Sequence, residues 1–271
     1  CEWNIRHGPH ARETEIKHIL INDNIDVMFL TEVDSNELKD GFNIPNYDTH
    51  YQLTDDGKKT RVICLSKTNS DITYTMRPEL MSKLFPLIWI EAKTAEGKKY
   101  LICGFYREWS PDGIGTIEEQ ANRIGILVEQ ISEATSMSER VVIVGDANLN
   151  CEKWTDNNYT YKRISEILMN CLETNGYRIA DIGKTYFSDH ATAEGDYVSS
   201  AIDHIYYTEA SGVDKVGRLS YSATDHYPIF AKLNVGQRKM IAPVQHIFKR
   251  TYRNFSIDKF KDDLANCKCG L

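Results

Sequence analysis

Isolated polar residues interrupt six apolar stretches of this sequence. They are Asn4 in CEWNIR, Glu32 in MFLTEV, Tyr106 and Arg107 in ICGFYR, Asp146 and Asn148 in VVIVGDANLN, Asp203 in SAIDHIYY, and Asp225 with His226 in SATDHYPIF. A carboxylate within an apolar strand needs a partner or a cation to offset its desolvation. Alone, Glu32 passes for a surface acid and His226 for a structural histidine. Collected, these acids, amides and imidazole are the inventory of a divalent-metal site for phosphoryl transfer, with hard oxygen ligands for the cation and N–H donors for phosphate. GDANLN has two readings. If strand geometry continues, Asp146 and Asn148 point to one side, as a metal or phosphate site requires. Gly, Asp and Asn are equally the residues of a turn.

The elements that must position these residues are legible as apolar runs. Residues 26–33, 61–66, 87–93, 100–106, 140–146, 201–207 and 228–235 read as strands. Two hairpin-like pairs stand out, 61–66 with the preceding HYQLT and 87–93 with 100–106. Ile16, Ile19 and Leu20 predict a helix over 12–22, and a third stripe runs from Tyr161 to Leu172. Between them, Thr116 with Glu119 forms a capping-box signature ahead of a stripe from Ile117 to Ile131. Many strands and few helices favour antiparallel sheets with helices packed outside.

Length allows a substantial core, and no apolar run is long enough to span a membrane, so no membrane partner is expected. Seven cysteines form no regular framework, which favours a reducing compartment; Cys64 and Cys103 read as small core residues. Charge is uneven. Residues 236–271 carry eight Lys/Arg against three Asp/Glu, a net of +5, which leaves −12 of the whole-chain −7 for residues 1–235. An acidic body binds polyanions poorly unless cations are supplied at the site. Past Gly236 the alternation stops, and a basic linker leads to a short helix with Ser256 as N-cap and Phe260 and Leu264 on one face.

The set W-N-I, T-E, Y-R, G-D-A-N, I-D-H and T-D-H-Y-P-I resembles the exonuclease–endonuclease–phosphatase superfamily, which includes DNase I and the abasic-site endonucleases. The resemblance covers about 1–235. GFYREWSP, GDANLNCEKW and SSAIDHIYYT are most similar to endonuclease domains of LINE-type (non-LTR) retrotransposons, and FKRTYRNFSIDKFKDDL resembles the connector into reverse transcriptase. The resemblance implies an α+β fold: a four-layer α/β/β/α sandwich of two mostly antiparallel sheets with outer helices, DNase I-like. It divides the chain into a catalytic domain, 1–235, and a linker with a short helix, 236–271. The missing initiator Met fits a domain excised from a polyprotein.

Residue by residue, the resemblance implies Glu32 as metal ligand, with Asn4 and Asp225 near the metal. Tyr106 would bond the scissile phosphate, and Asp146 would position or deprotonate the attacking water. Asn148 would hold phosphate, with Thr185 and the adjacent Arg107 as further phosphate contacts. Asp203 would orient His226, which faces the phosphate. The implied cofactor is Mg²⁺, with Mn²⁺ as a substitute. The implied partners are double-stranded DNA and the reverse transcriptase domain of the same polyprotein, in the nucleus after synthesis in the cytoplasm. Arg6 stands where abasic-site enzymes carry an Asp, and Thr224 replaces the commoner Ser. The loop 188–200 takes the place of a DNA-probing hairpin; His190 and Tyr197 are its candidate contacts, while Asp189, Glu194 and Asp196 should repel phosphates. A phosphoesterase acting on another phosphate ester and a binder that no longer cleaves are the alternatives.

Overall fold

The computed structural model describes residues 1–235 except 7, 39–40, 53–60, 109–115, 192–194 and 222. The expected tail helix at Ser256 and the loop acid Glu194 lie outside the described residues. The strands are β1 (Glu2–Asn4), β2 (Val27–Thr31), β3 (Tyr47–Tyr51), β4 (Val62–Lys67), β5 (Ile72–Met76), β6 (Leu87–Thr94) and β7 (Lys99–Tyr106). They continue with β8 (Val141–Asp146), β9 (Tyr177–Ile179), β10 (Tyr186–Ala191), β11 (Tyr197–Ser200), β12 (Asp203–Thr208), β13 (Val213–Arg218) and β14 (Ile229–Leu233). The helices are α1 (Glu13–Asn22), α2 (Ile117–Met137) and α3 (Lys162–Thr174). None among the described residues is long and apolar enough to cross a membrane.

One six-stranded sheet has the order β13-β14-β1-β2-β4-β3 and the other β5-β6-β7-β8-β12-β9; β10 and β11 form a separate two-stranded ribbon. Both large sheets are mixed: β1–β2 and β7–β8 are parallel and the remaining pairs antiparallel. Three apolar layers explain the sandwich. Phe29, Cys64, Ile90, Val142, Val144 and Ile205 pack between the sheets. Ile16, Ile19 and Leu20 of α1 cover the outer face of the first sheet. Leu127 and Ile131 of α2, with Leu168 and Leu172 of α3, cover the second. This is the α+β, DNase I-like fold. The three helices expected within the described residues form, and the capping box at Thr116 closes in both directions, satisfying two otherwise orphan N–H groups.

Gly104 lets the two sheets approach, and Gly145 lets neighbouring strands β7 and β8 pack closely. A Cβ on Gly104 would lie 2.0 Å from the Phe29 ring, and one on Gly145 would lie 2.2 Å from the Phe105 carbonyl oxygen. The second obstacle is backbone, which cannot rotate away. Gly145→Ala is therefore expected to cost about 1–3 kcal/mol through overpacking, read as a lowered denaturation midpoint. It should also slow catalysis, because the following residue is Asp146.

Candidate active site

Register gathers the polar residues at one end of the sandwich. In the second sheet, Tyr106 pairs with Asp146 across β7–β8, and Asp146 pairs with Asp203 across β8–β12. Three adjacent strands thus carry phenol, carboxylate and carboxylate in one row. In the first sheet, Asn4 ends β1 beside Thr31, which ends β2. Glu32 follows at φ 57°, a left-handed conformation that costs a side-chain-bearing residue energy and ends the strand there. Asp225 and His226 lie just ahead of β14.

The two sheets are stitched together by hydrogen bonds. Asn4 Nδ2 donates to Glu32 Oε1 at 3.0 Å and to Asp146 Oδ2 at 2.8 Å. The Tyr106 hydroxyl donates to the same Glu32 oxygen at 3.0 Å. Arg61 stacks on the Tyr106 ring, 5.0 Å from its centroid, and Nη2 donates to the phenol oxygen at 3.4 Å. His226 Nδ1 meets both Asp203 oxygens, at 3.1 and 2.9 Å. The Thr224 hydroxyl donates to the carbonyls of Asn4 and His226 and accepts from the His226 N–H. Trp3 Nε1 donates to the Thr224 hydroxyl and the His226 carbonyl, so the T-D-H segment is pinned to β1.

Burial and like charge set the proton affinities. The Asp146 carboxyl is pushed up to about 8, by burial first and then by Asp203 and Glu32, against the pull of His226 and the Asn4 hydrogen bond. Burial alone would lower His226, but Asp203, through its charge and hydrogen bond, together with Asp146 and Asp225, raises it to about 10. His226 is thus an imidazolium at neutral pH, with Nδ1 held by Asp203 and Nε2–H as its other donor. Burial, only partly countered by His226 and Arg6, raises the Asp225 carboxyl.

Four residues have tasks other than those expected. Arg107 is not a phosphate contact: its guanidinium is buried and donates to the carbonyls of Ala147 and Asn148 and to Gln120 Oε1 at 2.5, 2.7 and 2.7 Å. It braces the loop that carries Asn148. Thr185 is fully buried, and its hydroxyl accepts the Asp203 N–H at 3.1 Å, so it positions β12 rather than phosphate. Asn4 Oδ1 accepts the Arg6 N–H at 3.0 Å while its amide nitrogen holds Glu32 and Asp146, so Asn4 positions the acids. Strand geometry also does not continue to Asn148. β8 ends at Asp146, and Asn148 turns at φ 48°. Its N–H donates to Asp146 Oδ1 at 2.8 Å, and its Nδ2 donates to the Arg107 carbonyl at 2.9 Å and to Asp146 Oδ2 at 3.3 Å. The turn is what brings the amide onto the acid, so both readings of GDANLN describe one structure.

His190 and Tyr197 stand exposed on the β10–β11 ribbon. Asp189 of that ribbon is paired with Arg6, 2.6 Å from Nη1, rather than left wholly to face solvent. One buried acid escaped the sequence reading. Glu2 is fully buried, its Oε1 accepts from Thr31 at 2.8 Å, and its Oε2 has no hydrogen-bond partner among the described residues. Burial, then Asp203 and Asp146, raises its carboxyl well above the ordinary range. An acid two residues before Asn4 on a short strand shares its face, which was the available signal. An acid whose folded pKa is raised loses stability as pH climbs above its unfolded value. Glu2→Gln should therefore out-stabilise the wild type at about pH 9, with the gap closing at about pH 4, as read from denaturation midpoints.

The donor set fits a hard divalent cation. Carboxylates of Glu32, Asp146, Asp203 and Asp225 converge here, and Asp225 Oδ1 is buried with no hydrogen-bond partner among the described residues. Asp146, Asp203 and His226 present ligand atoms all within 4.8 Å of one another. Because Asp203 is committed to His226, the oxygens open to a cation are those of Glu32, Asp146 and Asp225.

The model of the endonuclease/exonuclease/phosphatase family matches residues 1–226, and the chain belongs to that family, whose members are typically metal-dependent hydrolases of phosphodiester bonds. Among solved structures, it is similar to the endonuclease domain of TRAS1, a telomere-specific non-LTR retrotransposon, at 17% identity and a TM-score of 0.64, covering 87% of this chain and 98% of that one. The catalytic domain of Xenopus laevis APE2 gives 15% identity and a TM-score of 0.65 over 85% and 90%. A mannosyl-6-phosphatase of Bacteroides thetaiotaomicron gives 16% and 0.52 over 85% and 97%. At such identities these likenesses establish the fold. No curated protein sequence matches the chain.

Proposed function

We propose that this chain is a Mg²⁺-dependent DNA endonuclease that nicks one strand and leaves a 3′-hydroxyl from which a reverse transcriptase primes. Mn²⁺ is the expected substitute, and nuclear genomic DNA the setting. One observation carries the reading: Glu32, Asn4 and Asp146 form a single hydrogen-bonded line across the two sheets, beside an Asp203–His226 pair. The likeness to a retrotransposon endonuclease supports the choice within the family. Glu32 and Asp225 would hold the cation, which when bound neutralises charge on the phosphate oxygens. Asp146 accepts the proton of the attacking water, and Asn148 and Asn4 fix its orientation. His226 donates from Nε2 to the phosphate as charge builds in the transition state. Tyr106, locked between Glu32 and Arg61, aligns the phosphate side of the site.

A second reading keeps the chemistry and changes the substrate. The likeness to a mannosyl-6-phosphatase favours a small phosphomonoester. End analysis separates the two. On an end-labelled duplex in Mg²⁺, the endonuclease reading expects internal nicks with extendable 3′-hydroxyls. Release of inorganic phosphate from a sugar phosphate, with the duplex left intact, would favour the other.

A further inference from the structure

Arg6 stands at the mouth of the site, its side chain 46% exposed, just past the end of β1. Its Nη1 alone reaches both neighbouring acids, Asp225 Oδ2 at 2.9 Å and Asp189 Oδ2 at 2.6 Å. The backbone is left-handed there, at φ 57°, and its N–H is tied to Asn4 Oδ1, so the side chain leaves the strand in a fixed direction. With Nη1 occupied on the acid side, the Nε–Nη2 edge has no hydrogen-bond partner among the described residues. That edge is the two-donor fork which matches a phosphate. The need for it follows from charge. Residues 1–235 carry a net of −12; of the other arginines beside the catalytic row, Arg107 is buried on backbone carbonyls and Arg61 is stacked on the Tyr106 ring.

We infer that Arg6 is a substrate-binding residue whose Nε–Nη2 edge grips a backbone phosphate of the DNA next to the scissile one, with Asp189 and Asp225 holding the guanidinium in place through Nη1. This rests on the endonuclease reading above. It gives Asp189 a purpose on a DNA-facing ribbon where an acid would otherwise only repel. It also places the needed positive charge beside the acids without occupying Asp225 Oδ1.

The test uses the full 271-residue chain and a duplex oligonucleotide, with nicking kinetics in Mg²⁺ and the duplex dissociation constant measured across a KCl series. Losing one phosphate contact should reduce the slope of log affinity against log salt by about 0.9. Arg6→Gln is expected to show that loss and a KM raised roughly 10–100-fold, the scale of a charge-assisted bond, with the larger effect in KM rather than kcat. Arg6→Lys keeps the charge but not the fork: its slope should match wild type while KM remains raised. Lys17→Gln on outer helix α1, which removes one charge away from the site, should leave the slope unchanged. A wild-type slope in Arg6→Gln, or the same slope loss in Lys17→Gln, would overturn the assignment while leaving the endonuclease reading intact. No DNA binding or nicking by the wild type would overturn both.

Discussion

Asp146→Asn is expected to slow DNA nicking by about 10²–10⁴, the scale of a lost general base, while making the cation-free protein more stable at alkaline pH. The opposite signs are the point of the experiment. Asn is nearly isosteric and keeps an oxygen to accept the Asn148 N–H now bonded at 2.8 Å, so the turn after β8 should persist, at the cost of the acceptor that now takes the Asn4 amide at 2.8 Å. What is lost is a carboxylate that can take a proton from water. What is relieved is the cost of ionising a buried acid against Asp203 and Glu32. With its carboxyl raised to about 8, folding is favoured by the protonated form, and stability falls as pH rises from the ordinary carboxylate range towards that value. The variant escapes that loss. In EDTA at about pH 8 its melting temperature should exceed wild type by a few degrees, and the advantage should vanish at about pH 4. A merely structural residue would lose stability and activity together.

The second large effect concerns pH. Nicking should follow a bell, with an ascending limb at or below about 8 as Asp146 ionises and a descending limb near about 10 as His226 loses its proton. Asp203→Asn removes the charge and the acceptor that hold His226 protonated, so burial then acts on the imidazole unopposed by its nearest acid. The descending limb should move down by several pH units. Asp203 also raises Asp146, so its removal draws the ascending limb down too, against the loss of the imidazolium. At about pH 8 the rate should fall about 10²–10³, the scale of one lost charge-stabilising donor, and part of it should return on acidification. A uniform loss without movement of the limbs would show that Asp203 serves packing alone.

Strands covered on both faces were readable because their apolar runs are unbroken: VVIVG of β8 is buried along its whole length. β5 and β13 were not singled out, since they are edge strands in which no residue is buried and whose composition passes for loop. At the site, residue types were legible and directions were not. Arg107 follows Tyr106, and successive residues on a strand face opposite sides. Tyr106 therefore points between the sheets while Arg107 lies beneath α2 against Gln120. Thr185 gave no sequence signal of burial, because its enclosure depends on Asp203 and Tyr227 arriving from distant strands. The left-handed turns at Arg6 and Glu32 were invisible for the same reason, whereas the turn at Asn148 was one of the two readings of GDANLN. None is a glycine; Arg6 and Asn148 are held by local bonds to Asn4 Oδ1 and Asp146 Oδ1, and Glu32 by bonds from Asn4 and from Tyr106 of the facing sheet.

The most direct measurement is the rate at which supercoiled plasmid becomes relaxed circles in Mg²⁺, for wild type and Asp146→Asn side by side, with EDTA as the cation-free arm. Relaxed circles from the wild type that disappear in EDTA and fall about a thousandfold in the variant are the expected result. Equal rates for the two proteins, or wild-type nicking that survives EDTA, would contradict a metal-dependent endonuclease built on this site.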